Sequence, residues 1–257
     1  MNSPYLTVRN LKVRYGSREL VKGISLDAYR GRVLGILGES GCGKSLTCLG
    51  ILGLLPPGLS SSGKIAIEGK STAESREYLG SSITSIMQSP VSCFDPVYTV
   101  GNHFTETLKA HDISDHSTVV EALEEVGLSR EPRLLDLYPF QMSGGMLQRV
   151  MIALALVTEA PFIVADEPTT DLDAINQTRI LTLLGNLVSR KNLGMIMVTH
   201  DLGVLAKMAD DVVVMKDGVM VDSGTVEDLF DHPGSDYTAE LIEAHMKLSG
   251  ETEGILS

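Results

Sequence analysis

Gly38-Glu39-Ser40-Gly41-Cys42-Gly43-Lys44-Ser45 has the pattern of a G-x-x-x-x-G-K-S loop. It follows an apolar run, Val33–Leu37, that predicts a buried strand, and it precedes a segment, Leu46 to Leu55, that predicts a helix. A glycine-rich turn at a helix N-terminus presents several backbone N–H groups to one phosphate chain. In that setting Lys44 reaches the β- and γ-phosphates, and the Ser45 hydroxyl ligates Mg2+. A chance glycine-rich turn is the alternative, but the strand–loop–helix context argues against it.

The composition indicates an α/β protein without a broad nucleic-acid surface. The chain has 257 residues, 43% of them hydrophobic, which suffices for one large core or two small ones. Its 21 basic and 33 acidic residues give a formal net charge of −12, which disfavours extended contact with a phosphate backbone. We therefore expect one α/β domain with an inserted helical part and no nucleic-acid partner.

The cysteines and the start of the chain indicate a cytosolic protein. Cys42, Cys48 and Cys93 are odd in number and lack metal-ligand spacing, as is typical of free thiols. Met1 to Val8 has neither the basic nor the apolar region of a secretion signal. The uncharged stretch from Ser45 to Gly63 is interrupted by two prolines, so we predict a helix and a loop there and no membrane span.

Two strands are predicted ahead of the loop. Tyr5–Tyr15 and Glu19–Tyr29 show the alternation of half-buried strands, and we expect them to pair in antiparallel fashion. Tyr15 stands beside a turn at Gly16-Ser17, where an exposed ring can stack on an adenine. Taken alone, Tyr15 is better explained as an ordinary strand residue.

A polar side chain follows one of the strands predicted after the loop. Gly63–Glu68 and Ser82–Met87 have strand patterns, and Gln88 comes directly after the second of them. Ligands bind at the carboxyl edge of the sheet in such folds. Gln88 is therefore a candidate for contact with a metal ion or with an attacking water.

Helical patterns replace strand patterns from about Thr99 to Tyr138, and we interpret the segment from about Ser89 to Val157 as an inserted helical subdomain. The helices predicted there include Val100–Ala110, Thr118–Val126 and Pro132–Leu137. The three histidines His103, His111 and His116 do not share one helical face, because they are spaced by eight and five residues. We interpret them as solvent-facing side chains and not as metal ligands.

Ser143-Gly144-Gly145 precedes a long apolar helix predicted over Met146–Val157. A hydroxyl and free N–H groups at a helix start form an anion site. A plain helix cap explains the same residues, but the presence of the lysine loop in the same chain favours a second phosphate contact.

Two acids end the apolar run Pro161–Glu167. A carboxylate at a strand end beside a phosphate loop holds Mg2+, which suits Asp166. Glu167, one residue further on, can orient and deprotonate a water that attacks the γ-phosphate.

The remaining patterns complete an α/β chain. Asp173 is the predicted N-cap of a helix over Ala174–Arg190, and His200 stands at the end of a buried strand over Gly194–Thr199. We expect His200 at the same sheet edge as Gln88 and Glu167, where a neutral imidazole can hydrogen-bond the γ-phosphate. A hairpin is predicted around Lys216-Asp217-Gly218, followed by two helices and a frayed tail from about Ser249.

Cys42 is the one cysteine inside the loop. The adjacent Lys44 and the helix N-terminus both favour a thiolate, so we expect Cys42 to alkylate faster than Cys48 or Cys93 unless a nucleotide covers it. The alternative is a shielded small residue that happens to be cysteine.

As a set, these motifs resemble those of the ABC-transporter ATPases over nearly the whole chain. Tyr15 matches the A-loop, Gly38–Ser45 the Walker A loop, Gln88 the Q-loop, Ser143–Gln148 the signature, Phe162–Glu167 Walker B, Thr170–Asp173 the D-loop and His200 the H-loop, in the family's order. The resemblance implies the ABC ATPase fold, an α/β P-loop NTPase with a RecA-like parallel-sheet core, an N-terminal antiparallel β-subdomain and an inserted α-helical subdomain. It divides the single domain into a core (1–88 and 158–230), the insert (89–157) and a short helical tail (231–257).

The same resemblance implies the roles of the site residues. ATP is bound by Tyr15 and by Gly38 to Leu46, with Mg2+ on Ser45, Gln88 and Asp166. Glu167, Gln88 and His200 are the catalytic set. Ser143, Gly144 and Gly145 contact the ATP of a second subunit across a head-to-tail dimer, in which Asp173 belongs to the D-loop.

Two residues depart from the family pattern. Met146 replaces the usual signature glutamine and cannot make its hydrogen bonds, which limits the expected nucleotide contact to the three residues before it. Asp171 replaces a small D-loop residue and leaves the contacts of that loop across the dimer open.

Motifs around the insert are similar to those of the dipeptide, oligopeptide and nickel importers, and the Met142–Gln148 run is similar to the nickel-import ATPases. This implies a second ATPase subunit, which is a paralogue or a second copy of this chain. It also implies two membrane permease subunits that dock on Ser89 to Ala110 and an extracytoplasmic binding protein. The chain would then lie on the cytoplasmic face of the membrane. No cysteine follows Cys93, so we expect no iron–sulfur cluster. Nickel, another metal chelate and a peptide all stay open as substrates, and a soluble ABC ATPase is the alternative from another class.

Overall fold

A computed structural model describes residues 3–73, 77–131 and 133–249. The strands are β1 Leu6–Tyr15, β2 Arg18–Ala28, β3 Val33–Leu37, β4 Leu59–Ile67, β5 Lys70–Ser71, β6 Thr84–Ile86, β7 Phe162–Asp166, β8 Gly194–Thr199, β9 Asp211–Lys216 and β10 Val219–Thr225. The helices are α1 Lys44–Leu52, α2 Pro90–Cys93, α3 Val100–Ala110, α4 Ser117–Glu125, α5 Gly144–Val157, α6 Ala174–Lys191, α7 Leu202–Met208, α8 Val226–Asp231 and α9 Asp236–Ser249. The tail beyond residue 249, which was predicted to be frayed, lies outside the described residues.

The chain divides into two compact units, and β8 runs from one into the other. The first unit comprises residues 1–74 and 196–257, and the second comprises residues 75–195. Within the described ranges, no helix combines the length and the apolar character needed to cross a membrane.

An antiparallel sheet with the strand order β2-β1-β4-β5 begins the first unit. β1 pairs with β2 from Leu6 opposite Ala28 to Tyr15 opposite Arg18, which confirms the predicted antiparallel pair. Buried side chains of β1 alternate with half-buried ones over residues 6–8 and 11–13, as expected for a sheet with one covered face.

The fourth strand begins earlier than predicted. We expected a loop up to Gly63, but β4 starts at Leu59, and Ser60, Ser61 and Ser62 pair with β1. The backbone of the serine run supplies the ladder hydrogen bonds while its side chains stay exposed, so a polar run is no obstacle to strand formation there. The prediction of a loop over this run was therefore wrong.

The phosphate loop follows a buried strand with a parallel neighbour. All five residues of β3 are buried, and β3 pairs in parallel with β9 from Leu34 opposite Asp211 to Leu37 opposite Val214. Strands covered on both faces have such continuous apolar runs. β9 and β10 form the predicted antiparallel hairpin. Leu37 joins an apolar cluster with residues of α7, α8, α9 and β9.

The second unit pairs β6 in parallel with β7, with Ile86 opposite Ala165, and carries helices α2 to α6. The predicted bounds of α3 are confirmed, and its Thr99–Asn102 capping box explains the start at Val100. Over the predicted helix Pro132–Leu137, only a 3-10 turn, Leu134–Asp136, is present, and Pro132 lies outside the described residues. Two short helices, α2 and α7, were not predicted.

Candidate nucleotide-binding site

The loop between β3 and α1 has a backbone that requires glycine at its two ends. Gly38 has φ 154°, and a Cβ there would lie 2.3 Å from the carbonyl oxygen of Met215. Gly43 has φ 106° and is the N-cap of α1. A side chain at position 38 would collide with the neighbouring backbone. A side chain at position 43 would be strained by the left-handed backbone conformation. The loop is thereby pressed against the end of β9.

Lys44 lies beneath this loop and binds its carbonyl groups. Its side chain is 4% exposed, and Nζ donates to the carbonyl oxygens of Gly38 at 2.7 Å and Glu39 at 2.9 Å. An ammonium has three N–H donors, so these two bonds leave one for an anion. Together with the free N–H groups that begin α1, this donor set fits a phosphate chain.

The other predicted loop residues line the same turn. Glu39, Ser40 and Gly41 are exposed, whereas Ser45 and Leu46 are half-buried in the first turn of α1. The Ser45 hydroxyl is a hard oxygen donor of the kind that Mg2+ prefers. Tyr15 is 63% exposed at the end of β1, and its ring lies 3.2 Å from the Cβ position of Gly58. A flat aromatic face is thus available to a base.

The Glu167 carboxylate lies in the second unit, held by two donors. Gln88 Nε2 donates to Oε2 at 3.1 Å, and the Thr170 hydroxyl donates to the same oxygen at 2.8 Å. Glu167 has φ 46°, in the left-handed region that a non-glycine residue occupies only when its surroundings fix it. The expectation that Gln88 and Glu167 come together is confirmed. Asp166, which ends β7, is 5% exposed.

Thr170 was missed as a side-chain contact of this carboxylate. Its backbone N–H also donates to the Glu167 carbonyl oxygen at 3.2 Å, which closes a turn. A hydroxyl three residues after an acid in a turn is the available signal, because serine and threonine often bond back to nearby groups.

Ser143 caps α5 in the same unit. Its Oγ accepts from the N–H of Met146 at 3.3 Å, and an accepting hydroxyl keeps its own proton for donation. Ser143 and Gly144 are exposed. A Cβ on Gly145 would lie 3.0 Å from the Asn176 side chain, so the helix start fits closely against α6.

Asp173 caps α6 as predicted. Its Oδ1 accepts from the N–H groups of Ile175 at 3.1 Å and Asn176 at 3.0 Å, and its Oδ2 accepts from Asn176 Nδ2 at 2.6 Å. The backbone N–H of Asn176 is the main cause that holds the pKa of this carboxyl below its ordinary value. Asn176 therefore connects the cap of α6 with the start of α5.

His200 follows β8 directly and is exposed, in the first unit. Thr199 Oγ1 accepts from the N–H of Asp201 at 3.0 Å, and Asp201 caps α7. These bonds fix the backbone on which His200 stands.

The surroundings of Cys42 contradict the thiolate on which its predicted reactivity was based. Cys42 is 7% exposed, and burial raises the pKa of its thiol more than the nearby Lys44 charge lowers it. Its sulfur lies 2.8 Å from the Cβ position of Gly38, inside the loop's own packing. Cys93 is exposed, although burial raises its pKa as well.

One of the three histidines is not simply solvent-facing. His103 is half-buried, its Nε2 lies 3.2 Å from the Asp95 carbonyl oxygen, and its ring makes edge contacts with Phe94 and Tyr98. His111 and His116 are exposed. In the described ranges, no group of three or more histidine, cysteine, aspartate or glutamate side chains could hold a metal ion.

A buried parallel strand, a glycine-rich loop with an embedded lysine, and a helix that begins at that lysine define a P-loop nucleotide-binding protein. The family model described as "ABC transporter" matches residues 21–170. The chain belongs to the ABC transporter family as an ATP-binding subunit, and ATP hydrolysis is the activity expected of that family.

Curated relatives and solved structures match over most of the chain. The nickel import ATP-binding protein NikD of Rhodospirillum rubrum is 50% identical over 240 residues, which cover 92% of this chain and 91% of the relative. NikD of Pseudomonas putida is 42% identical over 252 residues, covering 96% and 98%. The structure of cbiO1 from Clostridium perfringens, part of the ABC transporter complex cbiONQ, has a TM-score of 0.75 at 27% identity and covers 97% of this chain and 100% of its own. An ATP-binding subunit of an ABC transporter has a TM-score of 0.74 at 26% identity, covering 94% and 99%.

Proposed function

We propose that this chain binds Mg·ATP on the loop from Gly38 to Leu46 and hydrolyses it to drive import of nickel. One observation supports the nucleotide site above all: the Lys44 ammonium is buried and donates to two loop carbonyl oxygens at 2.7 and 2.9 Å. The names of relatives at 42–50% identity support nickel as the substrate. The exposed Tyr15 ring stacks on the adenine.

Magnesium belongs to this proposal as the partner of the phosphates. Ser45, Gln88 and Asp166 supply hydroxyl, amide and carboxylate oxygens, a hard donor set that suits Mg2+. When bound, the ion neutralises charge on the β- and γ-phosphates.

Glu167 acts as the general base in this proposal, and its neighbours support that role. The carboxylate needs a defined direction to take a proton from an attacking water. Gln88 and Thr170 both donate to one oxygen, Oε2, and so hold the carboxylate in a defined orientation. His200 hydrogen-bonds the γ-phosphate from the end of β8.

Each ATP is shared by two subunits in the proposed arrangement. Ser143, Gly144 and Gly145 contact the nucleotide of the other subunit, to which the Ser143 hydroxyl and the N–H groups of α5 donate. Asp173 and the D-loop belong to the same interface. The inserted helical subdomain, residues 89–157, carries the signature residues, while 1–88 and 158–230 form the nucleotide-binding core.

The proposed assembly places this chain at the cytoplasmic face of the cell membrane. Two permease subunits dock on it through the region from Ser89 to Ala110, where Val91, Val97 and Tyr98 are exposed. A paralogous ATPase completes the pair, with a second copy of this chain as the other possibility, and an extracytoplasmic binding protein delivers the substrate.

A nickel-uptake assay tests the transport role. A strain that lacks the gene should accumulate less radioactive 63Ni2+ than the parent, and the wild-type chain should restore uptake. The Lys44→Ala chain, expressed at the same level, should not restore it.

If the transported substrate is a peptide, the same strains should show the opposite pattern of uptake. Unchanged nickel uptake together with lost uptake of a labelled dipeptide would overturn the nickel assignment and leave the ATP site untouched. Unchanged uptake of both would leave no support for the importer role.

A further inference from the structure

Tyr237 joins the C-terminal helix to the phosphate loop. It lies in the first turn of α9, 198 residues after Glu39, and its hydroxyl accepts a hydrogen bond from the Glu39 N–H at 3.3 Å. The side chain is only 7% exposed, within the apolar cluster that includes Leu37. Leu37 is the residue directly before the loop, so the tyrosine packs beneath the strand end and bonds to the loop above it.

Glu39 is fixed from both sides by these contacts. Its N–H is bonded to Tyr237, and its carbonyl oxygen accepts from Lys44 Nζ at 2.9 Å and from the Cys42 N–H at 3.3 Å. The N–H that faces Tyr237 shares one planar peptide unit with the Gly38 carbonyl, whose oxygen accepts from Lys44 Nζ at 2.7 Å. A change at the hydroxyl therefore acts on the carbonyl that positions the lysine.

The phenol is held in place by its own surroundings. Lys216 Nζ lies 4.3 Å from the centre of the ring, on the face of the aromatic system that attracts cations. Ser235 caps the start of α9, because its Oγ accepts from the Thr238 N–H at 3.1 Å. Gly234 N–H donates to Asp222 Oδ2 at 2.7 Å, which ties the preceding turn to β10. Burial raises the pKa of the Tyr237 phenol, so the hydroxyl stays protonated at neutral pH.

We infer that Tyr237 is a positioning residue for nucleotide binding, through which the C-terminal helix sets the shape of the phosphate loop. This inference rests on the proposed function of the loop. In this role Tyr237 does not touch the nucleotide: it holds the Gly38–Glu39 peptide unit, and the carbonyl of that unit binds Lys44. Its effect should therefore appear in affinity for Mg·ATP and not in the chemical step.

The test compares two single-atom changes in adjacent residues of α9. Tyr237→Phe removes the hydroxyl but keeps the ring, the apolar packing and the contact with Lys216. Thr238→Val removes a neighbouring hydroxyl that is fully buried and bonded to Ser235 Oγ at 2.8 Å, with no bond to the loop in the described contacts. The second variant is the matched control for loss of a buried hydroxyl in the same helix turn.

The readout is equilibrium binding of Mg2+ with the fluorescent nucleotide MANT-ATP to the purified full chain, together with the steady-state ATPase rate. Tyr237→Phe should weaken binding roughly 2- to 10-fold, the equivalent of one ordinary hydrogen bond, and raise KM by a similar factor with kcat unchanged. Thr238→Val should leave the Kd unchanged, even if thermal unfolding shows that it lowers stability.

Two results would overturn the inference. One is a Tyr237→Phe chain that binds MANT-ATP as tightly as the wild type. The other is an equal loss of affinity in both variants, because that would assign the effect to docking of α9 in general. Lys44→Ala separates this failure from failure of the proposed function: a folded Lys44→Ala chain that binds like the wild type would mean that the loop is not the ATP site.

Discussion

The Glu167 carboxylate accepts hydrogen bonds from donors in separate parts of the chain. Gln88 comes from the end of β6, and Thr170 from the turn after β7, and both donate to Oε2. Such hydrogen bonds restrict rotation of the carboxylate, which matters because a general base must meet its water at a defined angle. At the residue scale, therefore, the side chains of Gln88 and Thr170 orient the Glu167 carboxylate.

Removal of the Thr170 hydroxyl should slow hydrolysis without weakening ATP binding. In Thr170→Val the side chain keeps its shape but no longer donates to Glu167, and we expect kcat to fall roughly 10-fold, as for loss of a hydrogen bond to a charged group. KM should stay the same. Steady-state phosphate release measures both.

Thr170→Ser is the matched control, because it keeps the hydroxyl and loses only a methyl group. It should retain most of the wild-type kcat. If valine and serine reduce kcat equally, packing and not the hydrogen bond explains the effect.

The positions of the proposed site residues were predictable where a sequence motif fixes them. Lys44 follows from the loop pattern, and Gln88 and Glu167 follow from their places at strand ends. Tyr237 could not be predicted, because its contact with Glu39 depends on how a distant helix packs. The thiolate expected at Cys42 was wrong for a related reason: the sequence reveals the neighbouring lysine charge but not the burial that outweighs it.

At the scale of a single element, α6 depends on its cap. Asp173 accepts the N–H groups of Ile175 and Asn176, which would otherwise have no partner within the helix. Its pKa is lowered by these bonds, so the carboxylate form is the one that stabilises the fold. The stabilisation is present at pH values above the pKa of the unfolded chain, and it is lost as the pH falls through the lower, folded pKa.

Replacement of the cap should therefore have an effect that depends on pH. Asp173→Ala should unfold at a lower urea concentration than the wild type at pH 7, because two helix N–H groups lose their acceptor. The difference should shrink as the pH is lowered towards and below about 3.8, the ordinary carboxyl value. Urea unfolding followed by circular dichroism measures it.

Asp173→Asn provides the comparison for charge. Asparagine also caps helices but does not titrate in this range, so this variant should stay close to the wild type at pH 7. A gap between wild type and Asp173→Ala that is constant with pH would contradict the role of the carboxylate.

Element type was largely predictable, whereas short elements and boundaries were not. The long periodic segments α3, α6 and β8 matched their patterns closely, because one face or the whole segment is buried. Two elements, α2 and α7, have four and seven residues, too few for periodicity to emerge. The start of β4 was misjudged since backbone pairing with β1, and not side-chain polarity, forms that strand.

At the scale of the whole molecule, one complete ATP site requires two chains in the proposed mechanism. The chain contains two helix starts suited to phosphate, one at Lys44 and one at Ser143, in different units. In the proposed dimer, the Ser143 helix of each chain faces the Lys44 loop of the other. ATP is then bound by both subunits and stabilises their association.

Mixing of two inactive variants tests this sharing. Lys44→Ala should abolish binding at its own loop, and Ser143→Arg should block the second phosphate contact. In a mixed dimer, one site combines both lesions and the other is intact, so part of the wild-type ATPase activity should return. The assay is phosphate release from an equimolar mixture under conditions where the chain self-associates.

The control is each variant alone at the same total concentration, which should stay inactive. Chemical cross-linking establishes that mixed dimers form. Mixed dimers without any regained activity would refute the simple shared-site model.

Hydrolysis by Glu167→Gln, measured beside binding of Mg·ATP to the same protein, tests the proposed role of Glu167 as the general base. The substitution keeps the shape of the side chain and leaves Lys44 and Asp166 in place, but it removes the carboxylate that takes the proton. We predict Mg·ATP binding like that of the wild type and phosphate release slower by about 10²- to 10⁴-fold. A Glu167→Gln chain that hydrolyses ATP at the wild-type rate would contradict the account.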